Sequence, residues 1–255
     1  MRPYYRYDPP RSSSNWLERL KVLTQPPLAY LVALGGIILA LILAFRGSIQ
    51  GYYLLILLIA FPIHELSHAL VADRLGDPTP RRNGRITLNP LAQLNLIGSI
   101  LMLLVGLGWA YVPINPAYLR PNPRTGHMIV AAAGPISNLL LAILMAVIYH
   151  VSYYPIQLLN NSALNEFVPG LLFIFARINI SLFFFNLIPM PPLDGYAILR
   201  GLLPLSLAYQ LDRLQPYSFL IFMGLFFLAP MLGIPILNYL IIIPSQLLTQ
   251  LLFGV

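Results

Sequence analysis

Residues 51–72 read GYYLLILLIAFPIHELSHALVA, and the rest of the chain can be organised around them. The stretch is apolar over the roughly 20 residues that a helix needs to cross the hydrocarbon core of a membrane. It nevertheless contains His64, Glu65 and His68. An ionisable side chain at the bilayer centre costs about 2.5–3.5 kcal/mol on insertion scales, so three together need a partner. The stretch predicts a membrane helix that carries a polar site.

The pattern HELSH fits a metal site. Histidines four residues apart lie on one helix face, so His64 and His68 can reach the same ion, with Glu65 beside them to act on water. The chain has no cysteine, which leaves His, Asp and Glu as ligands. The alternative is a pair of hydrogen-bonded core histidines with a buried glutamate, which the cost of burial in the membrane disfavours.

A catalytic zinc ion generally takes three protein ligands and a water, so the pattern lacks one ligand. The candidates elsewhere are His127, His150, Asp73, Asp77, Glu166, Asp194 and Asp212. Asp194 is preferred because it follows a proline-rich break after an apolar run, where irregular backbone can line a protein cavity. His150 is expected at the surface, and His127 is expected to be exposed where the chain enters the membrane.

The composition excludes an ordinary soluble domain. Of the 255 residues, 58% are hydrophobic and 9% charged, against about 25% charged in soluble domains. The mean hydropathy is +0.76. The net charge of +7 does not indicate a nucleic-acid partner, because the arginines flank apolar runs and are expected to set membrane orientation.

The apolar runs predict an all-α polytopic membrane protein with about five to six transmembrane helices. The runs are 28–45, 51–72, 128–151, 168–188 and 217–243, the last interrupted by Pro230 and Pro235. A shorter run, 96–112, is expected to lie in a re-entrant or irregular segment, which can contain β-structure, between the second and third core helices. A polar cytoplasmic tail, 1–27, precedes one membrane-embedded domain, 28–255.

Topology tests the choice of Asp194. With the tail in the cytoplasm, a membrane-crossing 96–112 run would deliver Asp194 to the surface opposite the histidines. If that run dips in and returns, Asp194 reaches the depth of His64 and His68. All basic residues except Arg46 and Arg177 are then cytoplasmic, as the positive-inside rule prefers.

Three motifs in this order, HELSH, AGPISN at 133–138 and NLIPMPPLDG at 186–195, closely resemble the signatures of site-2 proteases, which are intramembrane zinc metalloproteases. RITLNP at 85–90 and GWAYVPINP at 108–116 are similar to compact bacterial members. The resemblance implies that one Zn²⁺ is held by His64, His68 and Asp194, that Glu65 is catalytic, and that Asn138 and Asn186 line the substrate cleft. No PDZ insert or CBS pair is expected.

The implied activity is hydrolysis of peptide bonds in transmembrane-helix substrates within the lipid bilayer. Zinc lowers the pKa of the water that it binds to about 7, and Glu65 takes the proton. The expected location is a bacterial-type inner (plasma) membrane, with the N-terminus and the active-site opening cytoplasmic. Two alternatives are a metal-binding transporter or channel, since intramembrane His, Glu and Asp also mark ion pathways, and an inactive, protease-like binding protein. The sequence indicates neither the substrate nor an oligomeric state.

Overall fold

A computed structural model describes residues 27–105, 111–159 and 161–254. Within these ranges all regular secondary structure is helical, as predicted, and no β-strand is present. The main helices are α1 (Pro27–Phe45), α2 (Ile49–Arg74), α3 (Leu96–Val105), α4 (Pro123–Gln157), α5 (Ser162–Asn186), α6 (Asp194–Leu202), α7 (Leu205–Met231) and α8 (Asn238–Phe253). Short helical turns occupy Thr79–Arg82, Pro90–Ala92 and Pro116–Tyr118.

Four of these helices, α2, α4, α5 and α7, are long and apolar enough to cross a membrane. The apolar helices α1 and α8 are shorter. The chain is therefore a multi-pass membrane protein. The polar tail predicted for residues 1–27 lies outside the described residues, apart from Pro27 at the start of α1.

The segment between α2 and α4 is irregular, as predicted, and its described part contains no β-strand, although Leu94 forms an isolated β-bridge. Side chains satisfy part of its backbone. The buried Asp77 accepts hydrogen bonds from the backbone N–H groups of Thr79 and Asn115, and Gln93 donates to the carbonyl oxygen of Arg85. The described part of helix α3 has 10 residues, about 15 Å, which is shorter than the membrane core; residues 106–110 are outside the described ranges.

Helix α2 is the central helix. In an apolar stretch of 18 residues, 61% of α2 is buried, whereas 6% of the equivalent stretch of α7 is buried. Helix α4 packs against α2, α5 and α6, and α1 packs beside the start of α2. Gly51 allows that last contact, because a Cβ there would overlap the backbone of Ala40 and Ala44.

A π-helical turn, Ile56–Ala60, interrupts α2 and ends four residues before His64, the first residue of the HELSH pattern. Pro62 has no N–H to donate to the carbonyl oxygen of Leu58, and its ring crowds that oxygen in a regular α-helix. The N–H of Phe61 donates to Ile56, five residues back, so the wider turn absorbs the proline. Turns of this kind often lie at functional sites.

The apolar run predicted at 217–243 divides into two helices. Helix α7 begins earlier, at Leu205, and ends at Met231. The break follows from Gly233, which has a φ of +72°, and from Pro235, which cannot continue the hydrogen-bond ladder. Composition alone places a long apolar run, but these two residues determine where its helix stops.

Polar contacts hold the start of α7 against α6. Arg200 donates to both carboxylate oxygens of Asp212 at 2.7 and 2.9 Å, and the hydroxyl of Tyr196 donates to the same carboxylate. The hydrogen bond to Asp212 raises the pKa of Arg200. Burial, and then the bond to Asp212, raises the pKa of Tyr196. These contacts fix α7 beside the helix that begins with Asp194.

Candidate metal centre

Helix α2 places the HELSH side chains inside the bundle. His64, Glu65 and His68 are each less than 10% exposed, although they belong to an otherwise apolar helix. Four residues separate the histidines, a little over one turn, so their rings stand side by side with centroids 4.7 Å apart. The sequence pattern predicts this arrangement.

Asp194 reaches the same site from α6. The chain leaves α5 at Asn186, makes a tight turn, and begins α6 at Asp194. Gly195 makes the turn possible, because a Cβ at this position would overlap the carbonyl group of Leu187. The LDG sequence thus combines a carboxylate with the residue that lets the chain fold back onto the end of α5.

The three proposed ligand atoms converge. Nε2 of His64 lies 3.1 Å from Nε2 of His68, and the two nitrogens lie 3.1 and 3.4 Å from Oδ2 of Asp194. Ligand atoms about 2.0–2.2 Å from a tetrahedral zinc ion lie roughly 3.3–3.6 Å from one another. The observed spacing therefore fits zinc after small adjustments.

Hydrogen-bond directions fit the same ion. Nδ1 of His68 faces the carbonyl oxygen of Val130 at 2.8 Å, and Nδ1 of His64 faces Oδ1 of Asn138 at 2.6 Å. Both Nδ1 atoms must donate, so each neutral imidazole turns the lone pair of Nε2 inward. Oδ2 of Asp194 is buried and accepts no hydrogen bond from the described residues. Electron pairs held this close repel one another unless a cation lies between them.

Gly134 lies directly against the two imidazoles. A Cβ built on it would overlap Nε2 of both His64 and His68. The next residue, Pro135, lies inside α4, and Ser137 donates its hydroxyl proton to the carbonyl oxygen of Gly134 at 2.6 Å. From the sequence, a role of Gly134 and Pro135 in close packing and a helix kink is as strongly indicated as a direct functional role. The structure places Gly134 against the two imidazoles of the candidate metal centre.

The two asparagines of the sequence motifs both border the cavity beside these ligands. Asn138 is fully buried between His64 and Asn179. Asn186 is half-buried, and its amide donates to the carbonyl oxygen of Leu182 at 2.9 Å. Asn138 therefore contacts a predicted ligand, whereas Asn186 stands on the cavity wall.

The cavity next to the ligands has a volume of about 820 Å³. Residues from α2, α4, α5, α6 and the loops before α4 and α6 line it. Helix α7 contributes Phe219, Phe222, Met223 and Phe227 to the lining. The space is large enough for several residues of a peptide, and most of its lining is apolar.

His127 was expected to be exposed, and this prediction is wrong. It is half-buried near the start of α4 and borders the cavity with His64 and Asp194. The packing of α4 against α6, which a single sequence does not reveal, turns it inward. His150 is exposed, as predicted, and its Nε2 donates to the carbonyl oxygen of Leu252.

A multi-pass helical chain with a buried HExxH pair and a carboxylate converging from a second helix has the architecture of an intramembrane metalloprotease. Comparison with known families gives the same class: the chain belongs to peptidase family M50, whose sequence model matches residues 52–230.

Relatives with curated names agree. The chain is 38% identical over 183 residues to "Putative zinc metalloprotease YwhC" of Bacillus subtilis, covering 70% of this chain and 81% of that protein. It is 30% identical over 181 residues to "Putative zinc metalloprotease Rip2" of Mycolicibacterium smegmatis. This match covers 68% of this chain and 67% of that protein. No solved structure is significantly similar to the chain.

The chain is thus an intramembrane zinc metalloprotease of the site-2 protease type, and its cofactor is Zn²⁺. Membership of this family, which the three short motifs predicted, is confirmed. Neither alternative, a transporter or channel and an inactive binding protein, is supported.

Proposed function

We propose that His64, His68 and Asp194 bind the single zinc ion and that Glu65 is the general base. The observation that carries this assignment is the convergence of three ligand atoms from two helices at 3.1–3.4 Å from one another. Among the described residues, these three form a group of His, Asp or Glu side chains with the spacing of a metal site. Glu65 follows His64 directly and borders the same cavity.

Zinc, when bound, supplies Lewis acidity toward the scissile carbonyl and toward water. Glu65 takes a proton from the attacking water and later passes it to the leaving amine. Burial of the site restricts water to the cavity, which strengthens each electrostatic interaction with the reacting groups. Asn138 is held away from this step by its contacts with His64 and Asn179, so we assign it to the support of the ligand.

The proposed substrate is a peptide segment from a membrane-spanning helix. The cavity wall on α7 is aromatic and apolar, which suits side chains from a membrane segment. A helical segment hides its backbone hydrogen-bonding groups, so cleavage requires local unwinding. Since α7 is mostly exposed on its outer side, it faces the lipid from which such a segment would arrive.

We place the active-site opening and the N-terminal tail in the cytoplasm of a bacterial-type inner membrane, with 28–255 forming the embedded domain. Basic residues at the C-terminal end of α2 support this orientation. Arg81 pairs with Asp73, the backbone N–H of Arg120 donates to Leu75, and Arg124 donates to the carbonyl oxygen of Arg200. These arginines gather at one end of the bundle, as on a cytoplasmic face.

Incubation of the purified full-length protein in detergent with a panel of single-span membrane peptides tests the proposed function. We expect cleavage within the apolar segment, because the cavity lies beside buried ligands inside the helical bundle. Mass spectrometry identifies the products and the scissile bond.

A chelator is expected to stop this cleavage and added zinc to restore it. The matched control is the same incubation with His64→Ala protein. Cleavage that survives the chelator, or that His64→Ala protein performs equally well, would contradict a zinc-dependent active site.

Asp194→Ala is expected to lower the zinc content from one per chain to a small fraction, because two histidines alone leave the ion without its third protein ligand. Elemental analysis of the purified variant measures the effect. Asp73→Ala is the control: its carboxylate pairs with Arg81 at a partly exposed position, so its loss should leave zinc unchanged. Full zinc content in Asp194→Ala protein would remove Asp194 from the site.

A further inference from the structure

Asn179 lies within α5, is fully buried, and is joined to the metal centre through one other side chain. Its Nδ2 donates to the carbonyl oxygen of Phe175, 2.9 Å away on the same helix. Its Oδ1 accepts from Nδ2 of Asn138 on α4 at 3.0 Å. Asn138 presents its Oδ1 to Nδ1 of His64 on α2 at 2.6 Å. Hydrogen bonds thus connect the backbone of α5 to a proposed zinc ligand.

Each of these three hydrogen bonds has one possible direction. A backbone carbonyl only accepts, so Nδ2 of Asn179 must face Phe175 and its Oδ1 must face Asn138. Asn138 then donates through Nδ2, which leaves its Oδ1 for His64. An oxygen acceptor requires a proton on Nδ1 of His64, and the neutral ring therefore offers the lone pair of Nε2 to a metal.

Asn138 by itself does not determine this direction, because the oxygen and nitrogen of an amide are nearly equal in size. If the amide turned over, its Nδ2 would donate to Nδ1 of His64, and the ring proton would move to Nε2. That tautomer directs an N–H toward Asp194 and the ion position. Both asparagines are 0% exposed, so bulk water does not replace a lost partner.

We infer that Asn179 is a positioning residue, which holds the amide of Asn138 in one orientation and thereby keeps His64 in the tautomer that binds zinc. The inference rests on the proposed zinc site and extends it to a third helix. His68 needs no intervening side chains to fix its tautomer, because its Nδ1 donates directly to the carbonyl oxygen of Val130.

Three substitutions distinguish the effect of the hydrogen bonds from Asn179 to His64 from the effect of side-chain packing at position 179 of α5. Asn179→Asp, kept neutral by burial, can accept from Asn138 and donate to Phe175, so zinc affinity should stay close to the wild-type value. Asn179→Leu removes both bonds. Asn179→Thr keeps a hydroxyl bond to the carbonyl four residues back, but its side chain is one bond too short for Asn138. The Leu and Thr variants should bind zinc about 10–100-fold more weakly.

Zinc affinity is measured by competition with a chelator on the purified full-length protein, and the absorption bands of the Co²⁺-substituted protein report the ligand set. Thr249→Val is the matched control. It also removes a buried hydroxyl bond to the carbonyl of its own helix, at 2.7 Å, but on α8. We expect its zinc affinity and Co²⁺ spectrum to match those of the wild type.

A double variant tests whether Asn179 acts through Asn138. If it does, Asn138→Leu combined with Asn179→Leu binds zinc no more weakly than Asn138→Leu alone. Additive losses, or wild-type affinity in both the Leu and Thr variants, would overturn the inference. If the Leu variants fail to fold, equal affinities of the Thr and Asp variants overturn it. Absence of zinc from the wild-type protein would instead reject the proposed zinc site.

Discussion

Glu65→Gln is expected to lower cleavage of a membrane peptide by about 10²–10⁴-fold while the zinc content stays at the wild-type level. The amide has nearly the shape of the carboxylate, but it cannot take a proton from water. Glu65 is not among the three side chains whose ligand atoms converge, so the ion should stay bound. Cleavage rate and zinc content are measured on the same preparation.

The matched control is Glu166→Gln, the same chemical change at an exposed position near the other end of the bundle, in the first turns of α5. Its rate and zinc content should equal those of the wild type. Loss of zinc from Glu65→Gln protein would make Glu65 part of the ligand set. An undiminished cleavage rate would leave the reaction without its proposed base.

The geometry of the proposed metal centre could be predicted from the sequence where local structure governs it. The i, i+4 spacing of His64 and His68 fixes their common face in any α-helix, whatever the tertiary structure. Asp194 required a second argument, the depth at which its apolar run ends in the membrane. The structure brings it within 3.4 Å of both imidazoles. The all-α class followed from the length and composition of the apolar runs in the same way.

The remainder of the site depends on which helices are neighbours, and a single sequence contains little information about that. His127 lines the cavity because α4 packs on α6. Asn179 contacts Asn138 because α5 packs on α4, whereas in the sequence it only begins an Asn-Ile-Ser glycosylation pattern inside an apolar run. A buried amide in a membrane helix is costly, and that cost was the available signal that Asn179 has a partner.

Gly134 lies both at the contact between α4 and α2 and beside the proposed zinc ligands. Helix α4 approaches α2 closely at Gly134, because the missing side chain of the glycine leaves room for the two imidazoles of α2. Packing of small residues is common between membrane helices and would by itself explain a glycine. The distinction between packing and function therefore requires an experiment that separates helix stability from the space around the ion.

Gly134→Ala is expected to lower the cleavage rate by about 100-fold or more, because displacement of catalytic groups by about 1 Å has this effect. The added methyl group would occupy the space next to Nε2 of His64 and His68, where the ion must bind. Helix propensity acts in the opposite direction, since Ala is favoured over Gly within a helix by about 1 kcal/mol. A loss of activity without a loss of thermal stability would therefore come from the displaced ligands. Cleavage rate, zinc affinity and thermal stability of the purified variant are measured together.

Gly170→Ala isolates the backbone contribution. Gly170 also lies within a membrane helix, α5, and a Cβ there meets no other atom within 4 Å. We expect this variant to keep wild-type zinc affinity and activity and to gain slightly in stability. If Gly134→Ala behaved in the same way, with zinc bound and peptides cleaved at the normal rate, the imidazoles could move aside freely, and the close approach of α4 would serve only helix packing. If zinc affinity and activity fall only at position 134, the absence of a side chain there is a requirement of the metal centre.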